Sequence, residues 1–198
     1  MSGEMDSTIT VRERKAALRA EIARMEREIS ADEYRRSDAA LAEKLISLPV
    51  YERAASIMLF SPFDDEPSML GVVEDCRRRR KSVLLPRMLL GNRLECCEFR
   101  ENENLVPGKY GILEPSKACR VIAPEEIDLI VVPAVCYDRR GYRLGRGAGY
   151  YDRLLMTYPG ETVGLCRERF LQEEVPREPH DVRVMTVVTE HAVYATHR

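Results

Sequence analysis

Leu18, Ile22, Met25 and Ile29 recur at steps of three and four residues, which places them on one stripe of a helix and predicts an amphipathic helix over 11–29. A second helix is expected over 38–48, with Pro49 as its stop, because proline removes a backbone donor and clashes with the preceding turn. Beyond that point the pattern changes to short apolar runs. Ser56-Ile57-Met58-Leu59-Phe60 is closed by Ser61-Pro62, a helical stretch follows near 68–80, and Ser82-Val83-Leu84-Leu85-Pro86 is apolar again. Strand, helix, strand at this spacing predicts a parallel β-α-β unit. Further strands are expected at 94–99, 128–135, 162–166 and 183–189, the 128–135 run as a buried central one. Runs that are apolar on both faces imply a sheet covered by helices on each side. The expected class is therefore α/β, a three-layer α/β/α sandwich around a mostly parallel central sheet.

A chain of 198 residues is long enough to bury a sizeable single core, and it carries no Gly/Ser-rich linker or internal repeat. One domain spanning 1–198, with the N-terminal helix of about 10–30 packing on it, is the economical reading. Apolar residues make up 44%, charged residues 32%, and the formal net charge is -2, so net charge suggests no nucleic-acid partner. The run of basic residues over 77–81 is read as a solvated helix end favoured by the helix dipole. No uncharged apolar run approaches the roughly 20 residues that span a bilayer, and the first fifteen residues lack an apolar signal core; a cytoplasmic protein is expected. The six cysteines, Cys76, Cys96, Cys97, Cys119, Cys136 and Cys166, form no C-x-x-C pair, and buried free thiols are expected. Of the three histidines, His191 and His197 lie in the C-terminal tail, which leaves oxygen donors as the expected ligands of any cation.

The candidate chemistry is concentrated between Asp128 and Arg153. This stretch leads from the expected central strand through a basic, glycine-containing loop into a helix, the junction at which open α/β sheets bind ligands. Gly145, Gly147 and Gly149 let backbone N–H groups approach a ligand closely, and such amides at a helix start cradle phosphate oxygens. Arg143 and Arg146 add fixed charge able to bond phosphate in a fork. The string has neither the Lys-Ser/Thr ending of a Walker loop nor dinucleotide-type glycine spacing.

Arg143-Leu-Gly-Arg-Gly-Ala-Gly-Tyr-Tyr-Asp-Arg153 closely resembles the signature of the 5-formyltetrahydrofolate cyclo-ligase family. The resemblance extends to Lys15-Ala-Ala-Leu-Arg19, Phe63-Asp64-Asp65-Glu66, Val106-Pro-Gly-Lys-Tyr-Gly-Ile-Leu-Glu-Pro115 and Val175-Pro-Arg-Glu-Pro-His-Asp181, in an order that covers nearly the whole chain. Singly, each has a plain structural reading: Lys15 and Arg19 as solvated charges one turn apart, Glu66 as a loop carboxylate, Tyr110 as packing, Asp181 as a turn or cap residue.

The resemblance implies an ATP- and Mg2+-dependent ligase acting on a reduced folate, with small molecules as its partners and a monomer or small homo-oligomer as its state. It implies that Lys15, Arg19, Arg143, Leu144, Gly145, Arg146, Gly147, Ala148, Gly149, Tyr150 and Tyr151 hold ATP, with Arg143, Arg146 and Tyr151 in the catalytic set. Glu66, Tyr110, Arg146, Gly147, Ala148, Gly149 and Tyr150 would contact the folate, and Asp152 and Asp181 the metal. Which of Tyr150 and Tyr151 stacks or donates a hydrogen bond is left open. The family pattern is broken at Ala148, expected to be harmless if its backbone accommodates a side chain, and at Met69, Arg167, Phe170 and Met185, which would bear on substrate affinity. Two rivals remain: an isomerase or acyl-CoA transferase using Glu66 or Asp138 as base, and a non-catalytic nucleotide-binding protein on the same scaffold.

Overall fold

The computed structural model describes residues 9–63, 65–100 and 105–196; Asp64 and His197, both named above, lie outside the described residues. Helix α1 is Val11–Glu26, opened by a capping box in which the Thr10 hydroxyl accepts from the Glu13 N–H and the Glu13 carboxylate accepts from the Thr10 N–H. Helix α2 is Ala31–Ile46 and starts well before the expected 38, because Ser30 and Glu33 form a second capping box that the apolar periodicity does not reveal. Pro49 does not stop α2. It opens the short α3, Pro49–Arg53, where a missing N–H costs nothing.

The sheet follows in chain order. Strand β1 (Ser56–Met58) leads through α4 (Leu70–Arg78) to β2 (Ser82–Leu89), and the two strands pair in parallel with Ser56 opposite Ser82. Strand β3 (Arg93–Phe99) returns antiparallel through a turn at which Gly91 and Asn92 take positive φ. A two-stranded hairpin, β4 (Leu105–Pro107) with β5 (Leu113–Pro115), precedes the edge strand β6 (Val121–Ile122). The central β7 (Leu129–Val132) is followed by a second small hairpin, β8 (Cys136–Tyr137) with β9 (Arg143–Leu144). Helix α5 (Tyr150–Thr157), β10 (Glu161–Leu165), β11 (Thr186–Val188) and β12 (Val193–Ala195) complete the chain. The eight-stranded order is β12-β11-β10-β7-β1-β2-β3-β6. Its five middle strands run parallel, β12 and β3 run against them, and β6 pairs antiparallel with β3. The expected 128–135 strand is shorter because Pro133 cannot donate to the ladder.

The expected layers are visible in the alternation of side chains. Ile57, Leu129, Val131, Val83 and Leu85 point to one face, where they pack with Leu41 and Leu45 of α2, Tyr51 of α3 and Val72 of α4. Met58, Ile130, Val132 and Leu84 point to the other, against Ile22 of α1 and Leu154 and Leu155 of α5. Adjacent residues of each central strand thus serve opposite cores, the reason these runs are apolar throughout. Leu18, Met25 and Ile29 flank Ile22 as the predicted stripe.

The expectation of free thiols throughout is corrected. Cys97 and Cys119 are paired as a disulfide, with Cα atoms 5.8 Å apart, while Cys76, Cys96, Cys136 and Cys166 are buried and free. Separation of 22 residues hid the pair; antiparallel β3 and β6 bring its ends together. The basic run is engaged locally, with Arg78 and Arg79 both on Asp75 and Lys81 donating to the Glu52 carbonyl at 2.9 Å, in keeping with a helix-end role.

Ile22 is fully enclosed and is the one residue of α1 buried in the core. Ile22→Ala is expected to lower stability by about 2–4 kcal/mol, a cavity-forming truncation, with the urea m-value unchanged. A loss well under about 1 kcal/mol would mean that α1 is not an integral part of the fold.

Candidate active site

The site grows out of the order of the parallel strands. After β1 the chain crosses to β2 on one side, and β7 then inserts on the other, so that α4 and α5 lie on opposite faces and a crevice opens beyond the carboxyl ends of β1 and β7. A cavity of about 830 Å3 occupies this crevice. Phe60, Ser61, Phe63 and Glu66 enter it from the segment after β1, and Pro133 and Ala134 from the segment after β7. Every residue singled out above for ATP, folate or metal lines this one cavity.

The glycine-rich loop runs from β9 into α5. Gly147 has φ 101° and Gly149 φ 71°, the left-handed region that L side chains avoid, and Gly149 is the N-cap of α5. Ala148 is not among the non-glycine residues with positive φ, so its methyl group is tolerated as expected. The start of α5 therefore lies at the cavity, with Gly147, Ala148, Gly149 and Tyr150 in its lining.

Cations converge on this loop, each with a carboxylate or carbonyl partner. Lys15 and Arg19 lie one turn apart on α1: Lys15 Nζ is 2.6 Å from Asp181 and 3.0 Å from Glu178, and Arg19 Nε donates to the Gly145 carbonyl at 2.8 Å. Arg143 is buried, donating to Asp152 Oδ1 at 2.6 Å and to the Val182 carbonyl, which ties β9 to α5 and to the late loop. Arg146 pairs with Asp65 and with Glu66 Oε1 at 3.4 Å, and stacks over the Phe63 ring at 4.1 Å. Burial acts to raise the Asp181 carboxyl, but the bonds from Lys15 and the Glu178 N–H hold it below its ordinary value. Glu66 moves the other way, raised by burial more than its neighbours lower it.

The opposite wall is the β4–β5 hairpin. Tyr110 sits at its tip with φ 61° and largely exposed, and Lys109 lies over the rings of Tyr110 and Tyr150 while donating to the Tyr150 hydroxyl at 3.1 Å. The two tyrosines of the motif differ in placement. Tyr150 presents its hydroxyl to Lys109, whereas the Tyr151 hydroxyl is enclosed with no hydrogen-bond partner among the described residues, and burial pushes it far up. A neutral, enclosed phenol is the poorer candidate for direct contact with phosphate.

The sequence reasoning passed over several lining residues. Glu114 is buried and its Oε2 accepts from the Met88 N–H at 3.3 Å, pinning the hairpin to β2. Gly108 makes this possible, since a Cβ there would collide with the Glu114 carboxyl carbon. Arg12, Met88, Leu94, Ile112, Glu178 and His180 also line the cavity. Ile112, like Glu114, stands in the string from Val106 to Pro115, and Glu178 and His180 are neighbours of Asp181, with which they form a cluster of ligand atoms within 4.8 Å of one another.

Of the residues that break the family pattern, Ala148 lines the cavity and the other four lie elsewhere. Met69 is buried with the α2–α4 core, Phe170 with the α1–α5 core, and Met185 donates its backbone N–H to Thr162. Arg167 is buried 2.7 Å from Asp38, stacked over Tyr34. None of these four lines the large cavity, but Arg167 and Phe170 line a small second pocket with Asp65 and Glu66. Asp138 is unsuited to act as a base there, because it is fully buried and accepts from the N–H groups of Arg140, Tyr142 and Val175.

Fold and site together define a doubly wound α/β protein whose cavity sets a glycine-rich helix start and its cations against an aromatic, carboxylate-bearing wall. The model of the 5-formyltetrahydrofolate cyclo-ligase family matches residues 11–190, and the chain belongs to that family. The 5-formyltetrahydrofolate cyclo-ligase of Mus musculus is 27% identical over 197 residues, covering 93% of this chain and 97% of the relative. That of Escherichia coli K12 is 30% identical over 159 residues, covering 77% and 87%. The NMR structure of the 5,10-methenyltetrahydrofolate synthetase of Aquifex aeolicus superposes with a TM-score of 0.82 at 32% identity, covering 93% of both chains. No helix among the described residues is long and apolar enough to cross a membrane.

Behind Arg146, Glu26 at the end of α1 shares a hydrogen bond with Asp65, and burial followed by the Asp65 charge pushes its carboxyl up from 4.5 to about 7. The folded state then holds more protons than the unfolded chain between those values, so this group's contribution to stability falls as pH rises from about 4.5 to about 7. Glu26→Gln is expected to flatten the melting temperature across that window. Parallel pH curves for the two proteins would show that the carboxyls do not share a proton.

Proposed function

We propose that this chain closes 5-formyltetrahydrofolate to 5,10-methenyltetrahydrofolate, with ATP becoming ADP and phosphate. The observation that carries this reading is the two-sided cavity. One wall offers backbone amides and the cations Lys15, Arg19, Arg143 and Arg146, and the other offers Glu66, Tyr110 and apolar surface. A polyphosphate suits the first wall and a flat, hydrogen-bonding heterocycle the second.

The chemistry accounts for both. A formamide oxygen is a poor leaving group; phosphorylation by the γ-phosphoryl group of ATP makes it a good one. N10 then adds to the activated carbon and loses its proton, and phosphate departs as the methenyl bridge forms. Phosphoryl transfer of this kind needs positioning and charge neutralisation rather than a protein nucleophile. In this reading Arg146 and Arg19 neutralise the phosphates, the amides around Gly147 and Gly149 orient them, and Arg143 keeps β9, α5 and the late loop in register. Glu66 and Tyr110 hold the folate, with Tyr150 as the tyrosine that faces it.

Mg2+ is part of the proposal. The oxygens of Asp152, Glu178 and Asp181 line the phosphate wall and are the hard donors magnesium prefers. Asp152 has one oxygen committed to Arg143, and Asp181 is countered by Lys15, so the donors are already held in place by side-chain bonds. When bound, the ion would neutralise charge on the phosphate oxygens.

The decisive assay is the absorbance rise of methenyltetrahydrofolate on mixing protein, 5-formyltetrahydrofolate, Mg2+ and ATP. Product that requires ATP is expected; no product with or without the nucleotide would overturn the proposal. Arg146→Ala is expected to lower kcat/KM about 100-fold, the scale of losing one charge-stabilising donor, and wild-type turnover would remove Arg146 from the site. Asp152→Asn should move the magnesium titration to higher concentration, and an unchanged titration would exclude Asp152 as a ligand.

A further inference from the structure

The Cys97–Cys119 pair stands apart from the other cysteines in chemistry as well as in bonding. Burial holds the remaining thiols in their protonated form, pushing Cys96 up to about 11 and Cys136 up to about 12. Cys119 has a different neighbour: Arg87 Nη1 lies 3.3 Å from its sulfur. The same nitrogen donates to the Ser116 carbonyl at 2.6 Å, and Glu95 holds Arg87 Nε at 3.0 Å. A guanidinium at this distance is a positive partner for the sulfur that carries charge during exchange. Cys119 keeps 8% of its surface exposed and Cys97 none, so Cys119 is the more accessible partner and is assigned the attacking role, with Cys97 the one that resolves.

We propose that Cys97, Cys119 and Arg87 form a thiol–disulfide exchange site for low-molecular-weight disulfides of the glutathione type, whose state sets how firmly the hairpin wall is held against the cavity. The Cys119 thiolate attacks one sulfur of the small disulfide, forms a mixed disulfide and releases one thiolate, which takes up a proton. Cys97 then loses its proton and attacks the Cys119 sulfur, and the second small thiol leaves. The protein dithiol is oxidised by two electrons and the small disulfide is reduced to two thiols; excess thiol reverses both steps.

The consequence for the cavity follows from where the pair sits. Between the two cysteines runs the segment with β4, β5, Tyr110, Ile112 and Glu114. Its non-covalent fastenings include the Glu114 bond to the Met88 N–H and the Arg87 bond to Ser116. A covalent tie at its root removes open conformations that these bonds alone permit. The redox chemistry stands on the cysteine geometry, and the effect on folate rests on the proposed function of the cavity.

The test compares full-length protein equilibrated with oxidised or with reduced glutathione. Peptide mapping is expected to find Cys97 joined to Cys119 only in the first, at the cost of two hydrogens. Amide exchange over 105–115 should be slower in that form. KM for the folate should be about fivefold lower, the low end of coupling between sites, with KM for ATP unchanged. Cys119→Ser, at the more exposed position, should match the reduced protein under both conditions. Two alkylatable thiols after oxidised glutathione, or a mixed disulfide left unresolved on Cys119, would overturn the exchange site. A formed disulfide with unaltered exchange over 105–115 would overturn its action on the wall. Mapping and amide exchange read out without turnover, so an inactive protein would fail the folate reading while leaving this one decided.

Discussion

The molecule is arranged around the pairing of cations at the carboxyl edge of its central strands. Lys15, Arg19, Arg143 and Arg146 face one cavity, and like charges at such separations repel strongly where water is scarce. Asp181, Glu178, Asp152, Asp65 and Glu66 counter Lys15, Arg143 and Arg146, and Arg19 bonds the Gly145 carbonyl. These carboxylates come from three separate segments, after β1, within α5 and in the late loop. The pairing therefore fixes the relation of α1, the glycine-rich loop and both flanking loops at once. Arg143 is the clearest case, since a buried guanidinium left without Asp152 would be an uncompensated charge in the interior.

That arrangement is available only because the sheet is doubly wound. Insertion of β7 beside β1 sends α4 and α5 to opposite faces, and the loops that follow the two strands splay apart to form the crevice. The positive φ of Gly147 and Gly149 then turns the chain sharply enough to aim the start of α5 into it. Core and site are coupled through the same strands: Val132 packs in the α1–α5 core, and the next two residues line the cavity.

The hairpin wall is built on different principles. It lies outside the main sheet, pairs only with itself as β4 and β5, and is pinned by a buried carboxylate, an arginine and a cysteine pair. Its tip is open to solvent, with Tyr110 61% accessible. The cation-lined wall and this aromatic wall are therefore fastened to the fold separately.

Much of this was legible in the chain. The stripe of Leu18, Ile22, Met25 and Ile29 marked α1, the doubly apolar runs marked a covered parallel sheet, and the string from Arg143 to Arg153 marked the glycine-rich loop of the cavity, because helix period, strand burial and glycine conformation are local properties. The start of α2 was also local, in Ser30 and Glu33, and went unread because capping leaves no trace in apolar periodicity. The pairing of Cys97 with Cys119, the role of Glu114 under Gly108, and the removal of Met69, Arg167 and Phe170 from the cavity came only with the folded arrangement. Each depends on which segments the sheet order brings within a few ångströms of one another, a relation between distant positions that no stretch of sequence carries alone.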